Sequence, residues 1–168
     1  VIGIKIYVLA LFEKSHITKN NFRNFIKRLQ DVSDRLKEKK IKLALEINLD
    51  AHDINKLINL INRKNVFIVY DTGNRLKKKT FQYKEIIKLK KHICHFHIKD
   101  KNWNGDNVVL GSGDVKFQYI FRAIKQIKYK GKYTFETNRG ENPIRTMCDN
   151  KIFILKLMNK LYKQNHES

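Results

Sequence analysis

The 168-residue sequence predicts an α/β protein, with five parallel strands that each lead into a helix and form part of a barrel wall. Three observations predict it. Short apolar, β-branched runs alternate with longer stretches of helical apolar spacing, which calls for parallel strands joined by right-handed crossovers. No hairpin signal joins one strand to the next. Within strands, small or polar residues share one face and large apolar residues the other: Ala44 and Glu46 oppose Leu43, Leu45 and Ile47, and Thr134 and Glu136 oppose Tyr133 and Phe135. A barrel wall divides this way, with one side toward a crowded interior and the other toward helices.

Gly3 to Ala10 is an apolar run that predicts a strand of the buried kind. After a polar loop, Phe22, Phe25, Ile26, Leu29, Val32 and Leu36 fall at helical spacing among charged residues and predict a long amphipathic helix. Ile41 to Ile47 is the second strand. Asp53 to Ile61 is a short helix with Ile54, Leu57, Ile58 and Ile61 on one face. Val66 to Asp71 is the third strand, ending in the turn signal Thr72-Gly73-Asn74. A helix over Tyr83 to Lys91 precedes the fourth strand, Ile93 to Ile98. The loop Lys101 to Asp114 holds Asn104-Gly105 and Gly111-Ser112-Gly113. Phe117 to Ile127 predicts a helix, Tyr133 to Glu136 the fifth strand, and Arg145 to Tyr162 the last helix. Residues 1–162 read as one domain and 163–168 as a tail.

Composition narrows the function. No apolar run approaches the roughly 20 residues of a membrane span. Lys and Arg number 36 against 16 Asp and Glu, a formal net charge of +20. A balance that basic raises nucleic acid as a partner. Here the cations are mostly Lys scattered over helices and loops without interleaved aromatics, so they read as a solvated surface that also attracts phosphorylated substrates. Cys94 and Cys148 share no metal-ligand spacing and read as reduced thiols of a cytoplasmic protein.

The chemistry gathers at strand ends, where parallel α/β proteins place their working residues. Glu46, Asp71, His97 and Glu136 each close a strand. Alone, each carboxylate reads as a helix cap or surface charge, and His97 as a core histidine. Together they make an oxygen and nitrogen donor set for Mn, Mg, Co or Zn, and the lack of thiolates argues against a closed structural zinc. Such a cation can hold the carbonyl and adjacent hydroxyl of a sugar, while Glu46 and Glu136 move a proton at the carbon between them. His95, two residues before His97, is left out of the ligand set. Gly111-Ser112-Gly113 reads equally as a phosphate cradle or a plain loop.

At Ala44-Leu45-Glu46, Tyr70 to Asn74, His95 to Asp100, Leu110 to Phe117 and Tyr129 to Glu136, the sequence resembles the xylose isomerase-like TIM-barrel sugar isomerases and epimerases. It looks most like the branch acting on L-ribulose 5-phosphate, L-xylulose 5-phosphate and hexulose 6-phosphate. The resemblance implies that Glu46, Asp71, His97 and Glu136 hold a divalent metal and that the two glutamates also do acid–base work. It implies substrate contacts from Asn74, Lys99, Gly111, Ser112 and Gly113. Asn74 stands where relatives acting on non-phosphorylated sugars carry histidine, which points to a ketose phosphate. Ser112 departs from the family's Gly-Glu-Gly loop.

A complete barrel needs about 250 residues, so the five βα units correspond to strands 4 to 8. The expectation is a fragment of a longer chain, or a partial barrel that pairs with something and exposes apolar edges. The leading reading is a metal-dependent ketose phosphate isomerase or epimerase. The alternatives are a non-catalytic partial-barrel remnant and, more remotely, a metal-dependent endonuclease of the related barrel family. The expected partner is a small sugar or sugar phosphate, with no membrane, nucleic acid the weaker prospect, and homo-oligomerisation left open.

Overall fold

A computed structural model describes residues 3–76 and 82–163. The elements in order are β1 (Ile6–Ala10), α1 (Ile26–Glu38), β2 (Lys42–Glu46), α2 (Ala51–Ile61), β3 (Val66–Asp71), α3 (Gln82–Leu89), β4 (Ile93–Ile98), β5 (Asp100–Lys101), β6 (Asn107–Val108), α4 (Phe117–Gln126), β7 (Tyr133–Phe135) and α5 (Pro143–Lys163). Five strands form one sheet in the order β1-β2-β3-β4-β7. The pairings of β1 with β2, β2 with β3 and β4 with β7 are parallel. This is the α/β half-barrel arrangement predicted from the alternation of strand and helix patterns.

The chain divides into two compact units. One holds Val1–Tyr70 with Leu89–His95, the other Asp71–Lys88 with Phe96–Ser168. In the first, β2 is buried from Leu43 onward, and Ala44, Val69 and Cys94 pack together with Ile6 and Phe67 against them. Burial pushes the Cys94 thiol up to about 11, which fits an inert core sulfur. The helix read from Phe22 onward begins as a 3-10 turn over Phe22–Phe25 and becomes α-helical at Ile26. Asp50 accepts the Asp53 N–H at 2.9 Å and caps α2, so that helix starts before Asp53. The Ser33 hydroxyl donates to Asn65 at 2.7 Å, while the Asn65 amide donates to the Ser33 carbonyl at 2.8 Å, tying α1 to the entry of β3.

In the second unit, period-two alternation at the end of β4 sends Phe96 and Ile98, both fully buried, to one face. Phe96 meets Tyr129 edge-on at 4.9 Å and Tyr133 at 5.9 Å, and Phe121 stands 6.1 Å from Tyr133. Aromatic pairs at these separations each contribute on the order of 1 kcal/mol beyond their burial. His97 takes the opposite face.

Two expectations are corrected. The first strand was predicted to be buried, but Tyr7 and Val8 of β1 are exposed. Among the described residues β1 stands at one end of the sheet order, with a neighbouring strand on one side, and its exposure agrees with the apolar edge expected of a partial barrel. The loop Lys101 to Asp114 also contains a hairpin not foreseen, β5 against β6, antiparallel with Asp100 opposite Val108. Asn104-Gly105 is its turn signal, and Gly105 has φ +94. Most of the predicted tail, residues 164–168, lies outside the described residues.

Candidate metal centre

Glu46 closes β2 in the first unit and is buried. The other predicted ligands lie in the second unit. Asp71 ends β3, His97 stands one residue before the end of β4, and Glu136 follows β7 directly. The Glu136 N–H donates to the Ile98 carbonyl at 3.1 Å, which carries the strand register through the glutamate. One donor atom each of Asp71, His97 and Glu136 lie within 4.8 Å of one another. His97 Nδ1 is 3.3 Å from Glu136 Oε2 and 4.0 Å from Asp71 Oδ2. Two carboxylates and an imidazole converging this closely make a candidate site for a divalent cation.

Lys99 shares the His97 side of β4 because it stands two residues on. Its Nζ lies 2.8 Å from Glu136 Oε2 and 3.2 Å from Asp71 Oδ2. Burial, the largest single influence on Lys99, disfavours its charge, but the combined pull of Glu136 and Asp71 outweighs it and holds the ammonium above its ordinary pKa. Burial is likewise the largest influence on Glu136 and works to raise its pKa. The hydrogen bond donated by Lys99, with the charges of Lys99 and His97, more than reverses that, and the carboxyl is held below its ordinary value. Two carboxylates of the donor set are thus already paired with a positive charge, with which a metal ion would compete.

The surrounding turn positions these groups. Asp71 Oδ1 accepts the Asn74 N–H at 2.7 Å, so Asn74 shapes the turn through its backbone. The buried Thr72 hydroxyl donates to the Lys99 carbonyl at 2.6 Å and accepts the Lys99 N–H at 2.9 Å, locking the two loops together. Gln82 donates to the Thr72 carbonyl at 2.7 Å. A Cβ at Gly73 would come within 2.7 Å of the Lys99 stem, so the glycine gives that side chain room to lie across the turn. Arg75 and Glu85 form a two-point ion pair, both nearly fully buried, that anchors the far side of the turn to α3.

The Gly111-Ser112-Gly113 loop is built around Asp100. This fully buried carboxylate accepts N–H groups from Gly111 at 2.8 Å, Gly113 at 3.0 Å and Val115 at 3.2 Å. The Ser112 N–H and hydroxyl both turn back to the Val109 carbonyl. The amides that would cradle a phosphate are therefore already engaged, which favours the plain-loop reading over the cradle. Sequence reasoning missed Thr72, Arg75, Glu85 and Asp100. The available signal was the density of polar residues directly after two buried strands.

A family model described as a xylose isomerase-like TIM barrel matches residues 1–153. A curated L-ribulose 3-epimerase from Methylomonas sp. (strain DH-1) is 26% identical over 133 residues, which cover 74% of this chain and 45% of the relative. The chain thus spans about half the length of the curated relative it matches. Among solved structures, the IOLI protein with a bound zinc atom superposes with TM-score 0.77 at 20% identity, covering 95% of this chain and 64% of that one. A xylose isomerase domain protein from Planctomyces limnophilus gives TM-score 0.80 at 20% identity, covering 96% and 61%. At these identities the structural likeness speaks for the fold.

Proposed function

We propose that this chain, which belongs to the xylose isomerase-like TIM barrel family, carries the metal and proton-transfer centre of a sugar isomerase or epimerase acting on a ketose phosphate. The observation that carries the reading is the convergence of Asp71, His97 and Glu136 within 4.8 Å at strand ends. Glu46, a buried carboxylate closing the strand before β3, completes the proposed donor set of three carboxylates and one imidazole. Hard oxygen donors with one nitrogen suit Mn, Mg, Co or Zn. The IOLI protein carries zinc, and the curated relative is an L-ribulose 3-epimerase.

When bound, such a cation supplies Lewis-acid polarisation of a sugar's carbonyl and neighbouring hydroxyl oxygens. The protein's share is proton movement at the carbon between them. Glu136, held ionised at neutral pH, is suited to take that proton, and Glu46 to return one from its own strand, or the reverse. Lys99 places a positive charge where the substrate oxygens gain negative charge. Asn74 supports the phosphate reading through the resemblance of its motif. A cytoplasmic setting goes with this function and with two thiols that form no disulfide.

The test is metal content after Mn²⁺ loading and desalting. About one ion per chain is expected, lost in Glu46→Gln and His97→Ala. Isomerase activity on ketose phosphates should then fall by at least about a hundredfold in Glu136→Gln. Retention of the ion by both ligand variants would overturn the site. The second reading is a partial barrel without turnover. It predicts bound metal with no Glu136-dependent activity.

A further inference from the structure

A cleft of about 440 Å³ opens beside Glu136 in the second unit, walled by Phe135, Pro143 and Met147 and by the polar side chains of Thr137, Arg139 and Thr146. That volume lies in the roughly 300–1,000 Å³ range of small-ligand sites, and an apolar wall facing a few polar groups is their usual make-up. Glu136 both lines the cleft and touches Lys99 and His97, so a molecule seated there reaches the candidate metal centre at one end.

Among the described residues, Arg139 is the cleft's only cationic side chain. Its loop is tied down on both sides. The Asn150 amide, itself buried, donates to the Thr137 hydroxyl at 2.9 Å, and the Gly140 N–H donates to Asn138 Oδ1 at 2.9 Å. Gly140 has φ +61, and a Cβ there would stand 2.6 Å from Thr146 Oγ1. The loop therefore needs glycine at this point to lie against α5. Its neighbours in the loop are engaged, whereas among the described residues no hydrogen bond or ion pair occupies the Arg139 guanidinium.

We propose that Arg139 is the specificity-determining anion anchor of this site, binding the phosphate of a sugar phosphate whose carbonyl end lies toward Glu136. This rests on the isomerase reading above and adds to it where the phosphate is held. A guanidinium meets a phosphate through two parallel N–H···O bonds, the geometry that makes arginine selective for this group. The apolar wall of Phe135, Pro143 and Met147 accommodates the carbon chain between the two ends.

The test is calorimetric titration of the full chain with D-ribulose 5-phosphate and with D-ribulose, with and without Mn²⁺, in the wild type, Arg139→Gln and Arg139→Lys. The phosphorylated ketose should bind about tenfold tighter or better, as expected for hydrogen bonds to a charged group. Arg139→Gln should erase that margin and leave D-ribulose affinity and Mn²⁺ stoichiometry unchanged, while Arg139→Lys keeps part of it. Equal binding of the two ketoses, binding of neither, or a margin that survives in Arg139→Gln would overturn the proposal. Loss of metal alone would count against the isomerase reading and leave the Arg139 comparison readable in the metal-free titrations.

Discussion

Lys99 is the residue on which the metal centre turns. Its ammonium lies against Asp71 and Glu136, two of the oxygens a cation would use. A metal must therefore displace it, and without metal it neutralises the repulsion between those carboxylates. Lys99→Met should tighten Mn²⁺ binding on the order of tenfold and destabilise the metal-free chain by about 1–3 kcal/mol. Equilibrium dialysis and thermal melts would check the two effects.

The pH dependence of the same pair follows from the signs of its shifts. Glu136 is lowered on folding, so its contribution is present above its unfolded pKa and is lost as pH falls through the folded value. Lys99 is raised, so its contribution is complete below its unfolded pKa and is lost as pH rises through the folded value. Between those limits, roughly pH 5 to 10, the stability difference between wild type and Lys99→Met should stay level, and it should shrink below about pH 4. A difference that persists unchanged to pH 3 would count against the pairing.

At the scale of elements, strand ends bring the ligands and buried polar ties orient them. Alternation in β4 made His97 legible as a site residue, because Phe96 and Ile98 claim the opposite face. The Arg75–Glu85 pair was not legible. Its partners stand 10 residues apart on a turn and a helix, and no periodicity couples them. Removing one partner of a buried pair strands the other charge. Glu85→Gln should therefore cost about 3–5 kcal/mol, read as a lower denaturation midpoint, and should loosen the turn that carries Asp71. A loss under 1 kcal/mol would mean that the guanidinium finds another acceptor. The Asp100 loop teaches a related lesson. Its glycines signalled a special backbone, but the same pattern serves a carboxylate inside the protein as readily as a phosphate outside it.

For the whole molecule, a net charge of +20 weighs on the folded state, since compaction brings like charges together. Raising ionic strength from about 0.02 to 0.3 M shortens the screening length to below about 10 Å. This should raise the melting temperature by a few degrees. A midpoint insensitive to salt would mean that the excess cations stand too far apart on the surface to repel one another appreciably.

The sequence by itself determined the alternation of the five main strands with helices, the parallel sheet and the strand ends that carry Glu46, Asp71, His97 and Glu136. Those features follow from local periodicity, a property of neighbouring residues. Tertiary structure alone decided that Lys99 bridges two of the proposed ligands and that Asp100 occupies the glycine loop. It also decided that the loop after β4 folds into a hairpin, and that Arg139 faces a cleft beside Glu136. Each of these depends on which distant segments fold against one another, and no short stretch of chain encodes that.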